Sequence, residues 1–261
     1  MKILSNSIKI ILLTSILDVS FVHGQKLPKV QKKSIYAPAD IKIDGKSPEW
    51  NDNFQAYNKA VEILYTMSND SNNLYLTAKV KQKEIIDKLI RGGITLIINR
   101  EPDEKSKNFL AVTYPALEGP PMWELANKFL SLSNANKNHE AFNVNQLNEM
   151  FAKREKLISV AGIKEVPDNS LSIYNSEGIQ VAALFDNQLY YTYELAIPIK
   201  YFKISSNSVS TFNYQIKLNP APEIKRPAVI TPDLPPPPPP VMEGTMATTD
   251  FKGKYTLANR P

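Results

Sequence analysis

The sequence predicts a mainly β protein, a two-sheet antiparallel β-sandwich of the immunoglobulin-like or jelly-roll type with a helical insertion. Three observations favour this fold class. Eight or nine short segments are rich in β-branched and aromatic residues, turn-forming residues separate several of them, and few stretches have helical spacing. The length of 261 residues and a hydrophobic fraction of 43% allow one large domain with a sizeable core.

Residues 1–24 have the pattern of a signal peptide. Two lysines precede a short apolar run at residues 10–17, and cleavage is predicted before Gln25. The run is too short for a permanent membrane helix, and an uncleaved anchor is the alternative. No later segment is apolar over about 18 residues, so no transmembrane helix is expected in the mature chain. We therefore expect an exported protein that is periplasmic, outer-membrane-associated or secreted.

An N-terminal arm at residues 25–38 is polar and basic, and the predicted sandwich domain spans residues 39–219. Strand patterns occur at nine places in this domain: 41–43, 60–67, 74–80, 94–98, 109–114, 157–160, 179–185, 189–197 and 212–218. The turn residues at 69–73 predict a hairpin between the second and third of these strands. Helical spacing at residues 82–91, followed by two glycines, predicts a helix that ends at the glycines.

Side chains alternate between the two faces of a strand, which allows the core face to be predicted. In the strand at residues 189–197, Tyr191 and Tyr193 lie with their apolar neighbours on the predicted core face, and Glu194 lies on the opposite face. In the third strand, the alternation leaves open whether Tyr75 or its two leucine neighbours face the core.

The helical insertion is predicted at residues 119–156, between two strands of the sandwich, and Trp123 lies on its first helix. After the domain, residues 220–247 form a proline-rich loop with six consecutive prolines. Such a segment is expected to be a spacer or a ligand for an aromatic groove of a protein partner. Residues 248–261 form a C-terminal segment with the pattern of a returning strand.

Five short motifs follow one another along the chain. They are Ile43-Asp44-Gly45 with Glu49-Trp50, Asn69-Asp70 with Leu74-Tyr75-Leu76, residues 91–96 (RGGITL), Tyr114-Pro115, and residues 193–198 (YELAIP). In this order they resemble the family 9 carbohydrate-binding modules and the related DOMON-like sandwiches, and the whole chain resembles exported proteins of the Bacteroidetes type. The resemblance covers about residues 40–200.

The resemblance implies a non-catalytic β-sandwich that binds an oligo- or polysaccharide. Family 9 modules hold sugars between aromatic rings, and such rings stack well on a sugar. The candidate ligand-binding residues are Trp123 and Tyr114, because both lie near the insertion, and plain packing is the alternative for both. Trp50, inside a motif, is predicted to pack on the core. The alternative function is a cell-envelope interaction or structural protein that reuses the fold without binding sugar.

Composition and motifs argue against several other functions. The chain has no cysteine, which excludes disulfides, thiolate zinc sites and iron–sulfur clusters. The net charge of +5 is spread along the chain, so no nucleic-acid binding is expected. No motif of a hydrolase, a phosphate-binding loop or a zinc protease occurs, and we predict no catalytic residue. No obligatory cofactor is expected. Calcium suits the oxygen-rich turn with Asn69 and Asp70, although hydrogen bonds to its own backbone also explain that turn.

Overall fold

The computed structural model describes residues 26–99, 108–116, 123–135, 144–166, 168–202, 211–222 and 247–260. The predicted signal peptide and the six consecutive prolines lie outside these ranges. Within them, the chain forms two antiparallel sheets whose inner faces share one hydrophobic core. This arrangement confirms the predicted two-sheet β-sandwich.

The described ranges contain eleven strands. In chain order they are β1 (Ala56–Asn58), β2 (Ile63–Asn69), β3 (Asn73–Val80), β4 (Ile94–Asn99), β5 (Phe109–Tyr114), β6 (Leu157–Ala161), β7 (Ser170–Ser172), β8 (Gln180–Phe185), β9 (Tyr191–Pro198), β10 (Thr211–Leu218) and β11 (Thr249–Thr256). The first sheet has the order β1-β2-β3-β9-β8, and the second has the order β11-β10-β4-β5-β6-β7. Eight of the nine strand patterns predicted for the domain correspond to strands.

The remaining strand prediction, Ile41 to Ile43, is wrong. These residues are irregular, and their two isoleucines pack on the outer face of the first sheet against Tyr75 and Ala196. An irregular segment that covers a sheet buries alternate side chains just as a strand does, so the pattern alone cannot separate the two. The sequence also does not predict β1 and β7, because three residues are too few for a periodic pattern.

Three α-helices lie in the described ranges: α1 (Lys83–Gly92), α2 (Trp123–Ala135) and α3 (Val144–Arg154). α1 ends at the predicted glycines, since Gly93 has a φ of 72° and its N–H donates to the carbonyl of Leu89 at 2.9 Å. α2 and α3 lie between β5 and β6, which confirms the helical insertion. No helix in the described ranges has the length and apolar character needed to cross a membrane.

The two faces of the first sheet are both covered. The inner face carries Tyr191 and Tyr193 in the core, as predicted. On β3 the leucines face the core, and Tyr75 lies on the outer face, which answers the question left open by the alternation. Glu194 is also on the outer face, yet it is fully buried, because residues 36–50 cover that part of the sheet.

The last two strands are neighbours in the second sheet. β10 and β11 pair along their whole length, from Thr211 opposite Thr256 to Leu218 opposite Thr249. The predicted proline-rich loop therefore connects two adjacent antiparallel strands. Its residues 223–246 lie outside the described ranges.

Candidate functional site

An open cleft of about 910 Å³ lies on the outer side of the first sheet. Residues 45–52, the helix α3, and the ends of β3, β8 and β9 contribute to its lining. Charged and amide side chains make up about half of this lining, among them Asp52, Lys79, Asn145, Asn148, Asp186 and Asn187, and apolar side chains such as Leu184 and Phe185 contribute to the rest. The cleft is therefore suited to a polar ligand.

Lys79 links the charged groups of the cleft. It lies on the outer face of β3 opposite Thr192 of β9, and its side chain is only 14% exposed. The Nζ atom donates to Asp52 Oδ1 at 2.9 Å and lies 3.8 Å from Asp186 Oδ2. The hydrogen bond from Lys79 lowers the pKa of Asp52, so this carboxylate is ionised at neutral pH. The cleft thus presents a cation between two anions.

The backbone around Asp52 orients its carboxylate. Asn51 and Asp52 follow a short 3-10 helix, Pro48–Trp50, and both have left-handed φ angles, 45° and 56°. Asn and Asp tolerate this conformation better than most other residues that carry a side chain. The turn brings the carboxylate of Asp52 within hydrogen-bond distance of Lys79.

A second turn orients Asp186. The turn joins β8 to β9, at the position where the Asp186-Asn187 pair predicts a hairpin turn. Asp186 Oδ1 accepts hydrogen bonds from the backbone N–H groups of Gln188 and Tyr190, at 2.9 and 3.0 Å. Its other oxygen, Oδ2, is the one near Lys79. The local turn thereby holds this carboxylate in one orientation.

Asn148 attaches α3 to the edge of the first sheet. Its amide nitrogen donates to the carbonyl of Phe185 at 2.9 Å, and its side-chain oxygen accepts from the N–H of Phe185 at 2.8 Å. This pair reproduces the hydrogen bonds of a neighbouring strand and covers part of the edge strand β8. Phe151 adds ring contacts with Phe185 and Tyr191, each 6.0 Å between centroids. These contacts place Asn145 and Asn148 in the cleft wall.

Beside the cleft, five residues form what we call the clasp: Asp44, Gly45, Trp50, Thr77 and Glu194. All of them except Asp44 are buried. Glu194 Oε2 accepts from the N–H groups of Asp44 at 3.0 Å and Gly45 at 2.9 Å. Trp50 is 7% exposed, as its predicted packing role requires, and its Nε1 donates to Thr77 Oγ1 at 3.1 Å. Thr77 is the cross-strand partner of Glu194. Burial raises the pKa of Glu194 to about 8.

The two residues predicted to bind sugar lie in different environments. Tyr114 is buried in the core, and its hydroxyl donates to the backbone oxygen of Glu155 at 3.0 Å. A sugar ring cannot reach Tyr114, because sheets and helices surround it. Trp123 begins α2 and is 43% exposed. It is not part of the cleft lining, and ligand binding by Trp123 stays a prediction.

The residues that were predicted to suit calcium are held by hydrogen bonds from the turn, from β3 and from the C-terminal segment. Asp70 Oδ1 accepts from the N–H groups of Asn72 and Asn73, and Oδ2 accepts from the hydroxyl of Tyr75, each at 2.7 Å. Asn69 Oδ1 accepts from a tyrosine hydroxyl and from a backbone N–H near the C-terminus. In the described ranges, no group of three or more acidic, histidine or cysteine side chains is arranged to hold a metal. Calcium at Asn69 and Asp70 stays a prediction.

Comparisons with known proteins cover families, curated sequences and solved structures. No family model matches the chain, and no curated protein matches it. A solved family 9 carbohydrate-binding module from Caldicellulosiruptor kristjanssonii, in complex with glucose, is similar over 88% of this chain and 96% of that module. The TM-score is 0.43 and the sequence identity is 10%. The sandwich fold of this chain therefore rests on its own sheet topology, and any binding role has to be argued from the cleft.

Proposed function

We propose that this chain is a non-catalytic carbohydrate-binding protein whose ligand occupies the cleft. The observation that carries the proposal is the Lys79 ammonium, partly buried between the carboxylates of Asp52 and Asp186 in an open polar cleft. A sugar ring presents several hydroxyl groups, each of which can donate and accept a hydrogen bond. Ammonium, carboxylate and amide groups placed side by side match that pattern.

The polar groups of the cleft are already oriented, which favours a high affinity for a sugar. Hydrogen bonds to charged partners are stronger than those between neutral groups. Asp186 is held by two backbone N–H groups, and Lys79 is largely packed, so little further ordering is needed when a ligand binds. Asn148 keeps α3 in place through its two hydrogen bonds to Phe185. The cleft is therefore largely formed before a sugar enters.

The same charges argue for binding without hydrolysis. A glycoside hydrolase needs a carboxylic acid that stays protonated until it donates to the leaving group, which requires a raised pKa. Lys79 has the opposite effect on Asp52, because the hydrogen bond stabilises the ionised form and lowers its pKa. Asp52 is therefore a hydrogen-bond acceptor for sugar hydroxyls and a poor general acid. Glu194 has the raised pKa of an acid, but it is fully buried and does not line the cleft.

Trp123 is a second anchor in this proposal. Its ring is the exposed aromatic that the sequence predicts as a ligand contact, and it lies on α2, outside the cleft lining. A ligand that contacts both places must be longer than one sugar ring, which favours an oligo- or polysaccharide. The predicted export of the chain would bring such a surface to glycans outside the cytoplasm.

The test is a glycan array with the purified protein, followed by titration calorimetry with the strongest-binding oligosaccharide. We expect Lys79→Met and Asp52→Asn each to weaken binding by about tenfold or more, because each removes a charged hydrogen-bonding partner. Lys81→Met is the matched control. Lys81 follows β3 directly, its Nζ lies 5.2 Å from the ring centroid of Tyr190, and it does not line the cleft. Its charge contributes weakly to the lowered pKa of Asp52, so the comparison separates the direct contact of Lys79 from the effect of a nearby positive charge.

The outcomes separate binding in the cleft from binding elsewhere on the chain. Equal losses in Lys79→Met and Lys81→Met would indicate a general effect of positive charge and would reject the cleft as the site. Loss in Trp123→Ala with no loss in Lys79→Met would move the site to α2. If no glycan on the array binds, the proposal of sugar binding is rejected, and the alternative of a cell-envelope interaction protein takes its place.

A further inference from the structure

Where α3 meets the sandwich, four residues form what we call the inner polar cluster: Tyr114, Glu155, Tyr191 and Tyr193. Glu155 directly follows α3 and is 3% exposed. Its backbone oxygen accepts a hydrogen bond from the hydroxyl of Tyr114. In the described part of the chain, Glu155 Oε1 and the hydroxyls of Tyr191 and Tyr193 have no hydrogen-bond partner. Tyr191 lies within electrostatic range of the other three residues, so these groups form one cluster.

This cluster accommodates a neutral carboxyl group better than a carboxylate. A buried charge without a counter-ion is strongly disfavoured, and the neighbouring cation, Arg154, forms an ion pair with Glu124. Burial raises the pKa of Glu155 to about 7, and Arg154 opposes this shift. In the described part of the chain, Glu155 Oε1 also has no hydrogen-bond donor within reach that would stabilise a carboxylate.

The position of α3 depends on the same region. Phe151, one turn before Glu155, packs edge-on against Tyr114 at 6.1 Å and Tyr191 at 6.0 Å between ring centroids. Asn148, a further turn back, bonds to the edge strand β8 and lines the cleft. A change of charge at Glu155 therefore acts at the end of the helix that forms one wall of the cleft.

We propose that Glu155 is a pH-sensitive latch on α3. With a neutral carboxyl, α3 stays docked on β5, β8 and β9, and with an ionised carboxyl the helix loosens and the cleft wall moves. The proposal goes beyond sugar binding and needs no ligand. The titratable or charged groups around Glu155 are Tyr114 from β5, Tyr191 and Tyr193 from β9, Arg154 from α3 and, next to Tyr114, Tyr174 after β7.

The direction of the pH effect follows from proton linkage. Glu155 has a pKa of about 7 in the docked state and an ordinary value of 4.5 when exposed. The docked state therefore holds the proton more tightly, and its stability relative to the undocked state falls as pH rises from about 4.5 to about 7. Between pH 5.5 and 8.5, this difference shifts the docking equilibrium by about 30-fold toward the undocked state.

Amide hydrogen exchange at pH 5.5 and 8.5, expressed as protection factors, tests the latch. We expect α3 amides to exchange through a local opening, with lower protection than β4 and β10, and to lose about 30-fold protection at the higher pH. Glu155→Gln removes the charge and keeps the shape, so its α3 protection should not change with pH. Glu149→Gln changes an exposed carboxyl on the cleft side of the same helix. It is the matched control for the exchange measurement only, and its α3 protection should behave as in the unmodified chain.

A carbon NMR titration of the Glu155 carboxyl is a second measurement that needs no variant. A midpoint near 7 supports the latch, and a midpoint near 4.5 overturns it. The proposal also fails if α3 opens only with the whole sandwich, or if Glu155→Gln keeps the original pH dependence. None of these readouts involves a sugar, so the latch and the proposed binding function can fail separately.

Discussion

The clasp and the cleft lie on the same sheet face and share one chain segment, yet they differ in solvent exposure. In the clasp, Gly45 and Trp50 are buried, and two backbone N–H groups and an indole N–H find acceptors inside the protein. In the cleft, Asp52 from the same segment is largely exposed and pairs with Lys79 at the surface. Four of the five clasp residues belong to the motifs, and Thr77 is the exception, whereas Asp52, Lys79 and Asp186 belong to none of the five motifs.

This difference indicates a structural role for the motif residues of the clasp. Gly45 has a φ of 79°, and a Cβ atom there would come within 2.9 Å of the backbone of Ala183, so the turn over the sheet requires glycine. Glu194 then accepts the two N–H groups of that turn. The first and last of the five motifs therefore supply the contacts by which residues 44–50 attach to the first sheet. The polar ligand surface lies beside them, on residues that this attachment does not involve.

The two tryptophans give the largest expected contrast. Trp50→Ala should lower the free energy of unfolding by about 3–5 kcal/mol, because it opens a cavity and leaves Thr77 without its donor. Trp123→Ala, at an exposed helix start, should cost less than about 1 kcal/mol. Urea denaturation of both variants checks this. Equal losses of unfolding free energy in the two variants would show that Trp123 is a packing residue and would remove it from the proposed ligand surface.

Substitutions of Glu194 should give the next largest loss of unfolding free energy. Glu194→Ala leaves the buried N–H of Gly45 and the partly buried N–H of Asp44 without an acceptor and should cost about 2–4 kcal/mol. Glu194→Gln keeps an oxygen and should cost less than half of that. Denaturation at pH 5.5 measures both losses. Similar losses in the two variants would mean that the acceptor oxygen is unimportant for the clasp.

The free energy of unfolding should also depend on pH through the Glu194 carboxyl, which gives an independent test of its role in the clasp. Its pKa is about 8 in the fold and 4.5 as the ordinary value, so the folded state binds the proton more tightly and stability is lost as pH rises from about 4.5 to about 8. Between pH 5.5 and 7.5, Glu194→Gln should abolish about 2.5 kcal/mol of this decline in the free energy of unfolding. Glu155 contributes in the same direction up to about pH 7, and the difference between the two chains isolates Glu194.

The smallest stability effect is expected in the cleft. Asp52→Asn should change the free energy of unfolding by less than about 1 kcal/mol, because its carboxylate is 73% exposed and exposed ion pairs contribute little. The same variant should weaken sugar binding, because it removes a charged acceptor from the cleft. Thermal denaturation and calorimetry on one sample test both statements. A loss of about 2 kcal/mol or more would show that Asp52 belongs structurally with the clasp.

Local patterns in the sequence account for much of the fold. The alternation around Tyr191 and Tyr193 identifies the core face of β9, and helical spacing before two glycines identifies α1 and its end. Both signals come from residues that are close in the chain, whose relative directions the backbone determines. The helical insertion is predicted for the same reason. The irregular segment with Ile41 shows the limit of predictions from local pattern. Its alternating burial is produced by contact with a sheet whose residues are far away in the sequence.

What surrounds each side chain was decided only by the tertiary structure. Alternation places Glu194 on the outer face of β9, but residues 44–50 bury it there. Proximity along the chain groups Tyr114 with Trp123, but packing puts one in the core and leaves the other exposed. Lys79 meets its two carboxylates only because β3, β9 and a left-handed turn converge. A sequence determines local direction through backbone geometry, whereas burial and charge pairing depend on segments that approach each other only after the chain has folded.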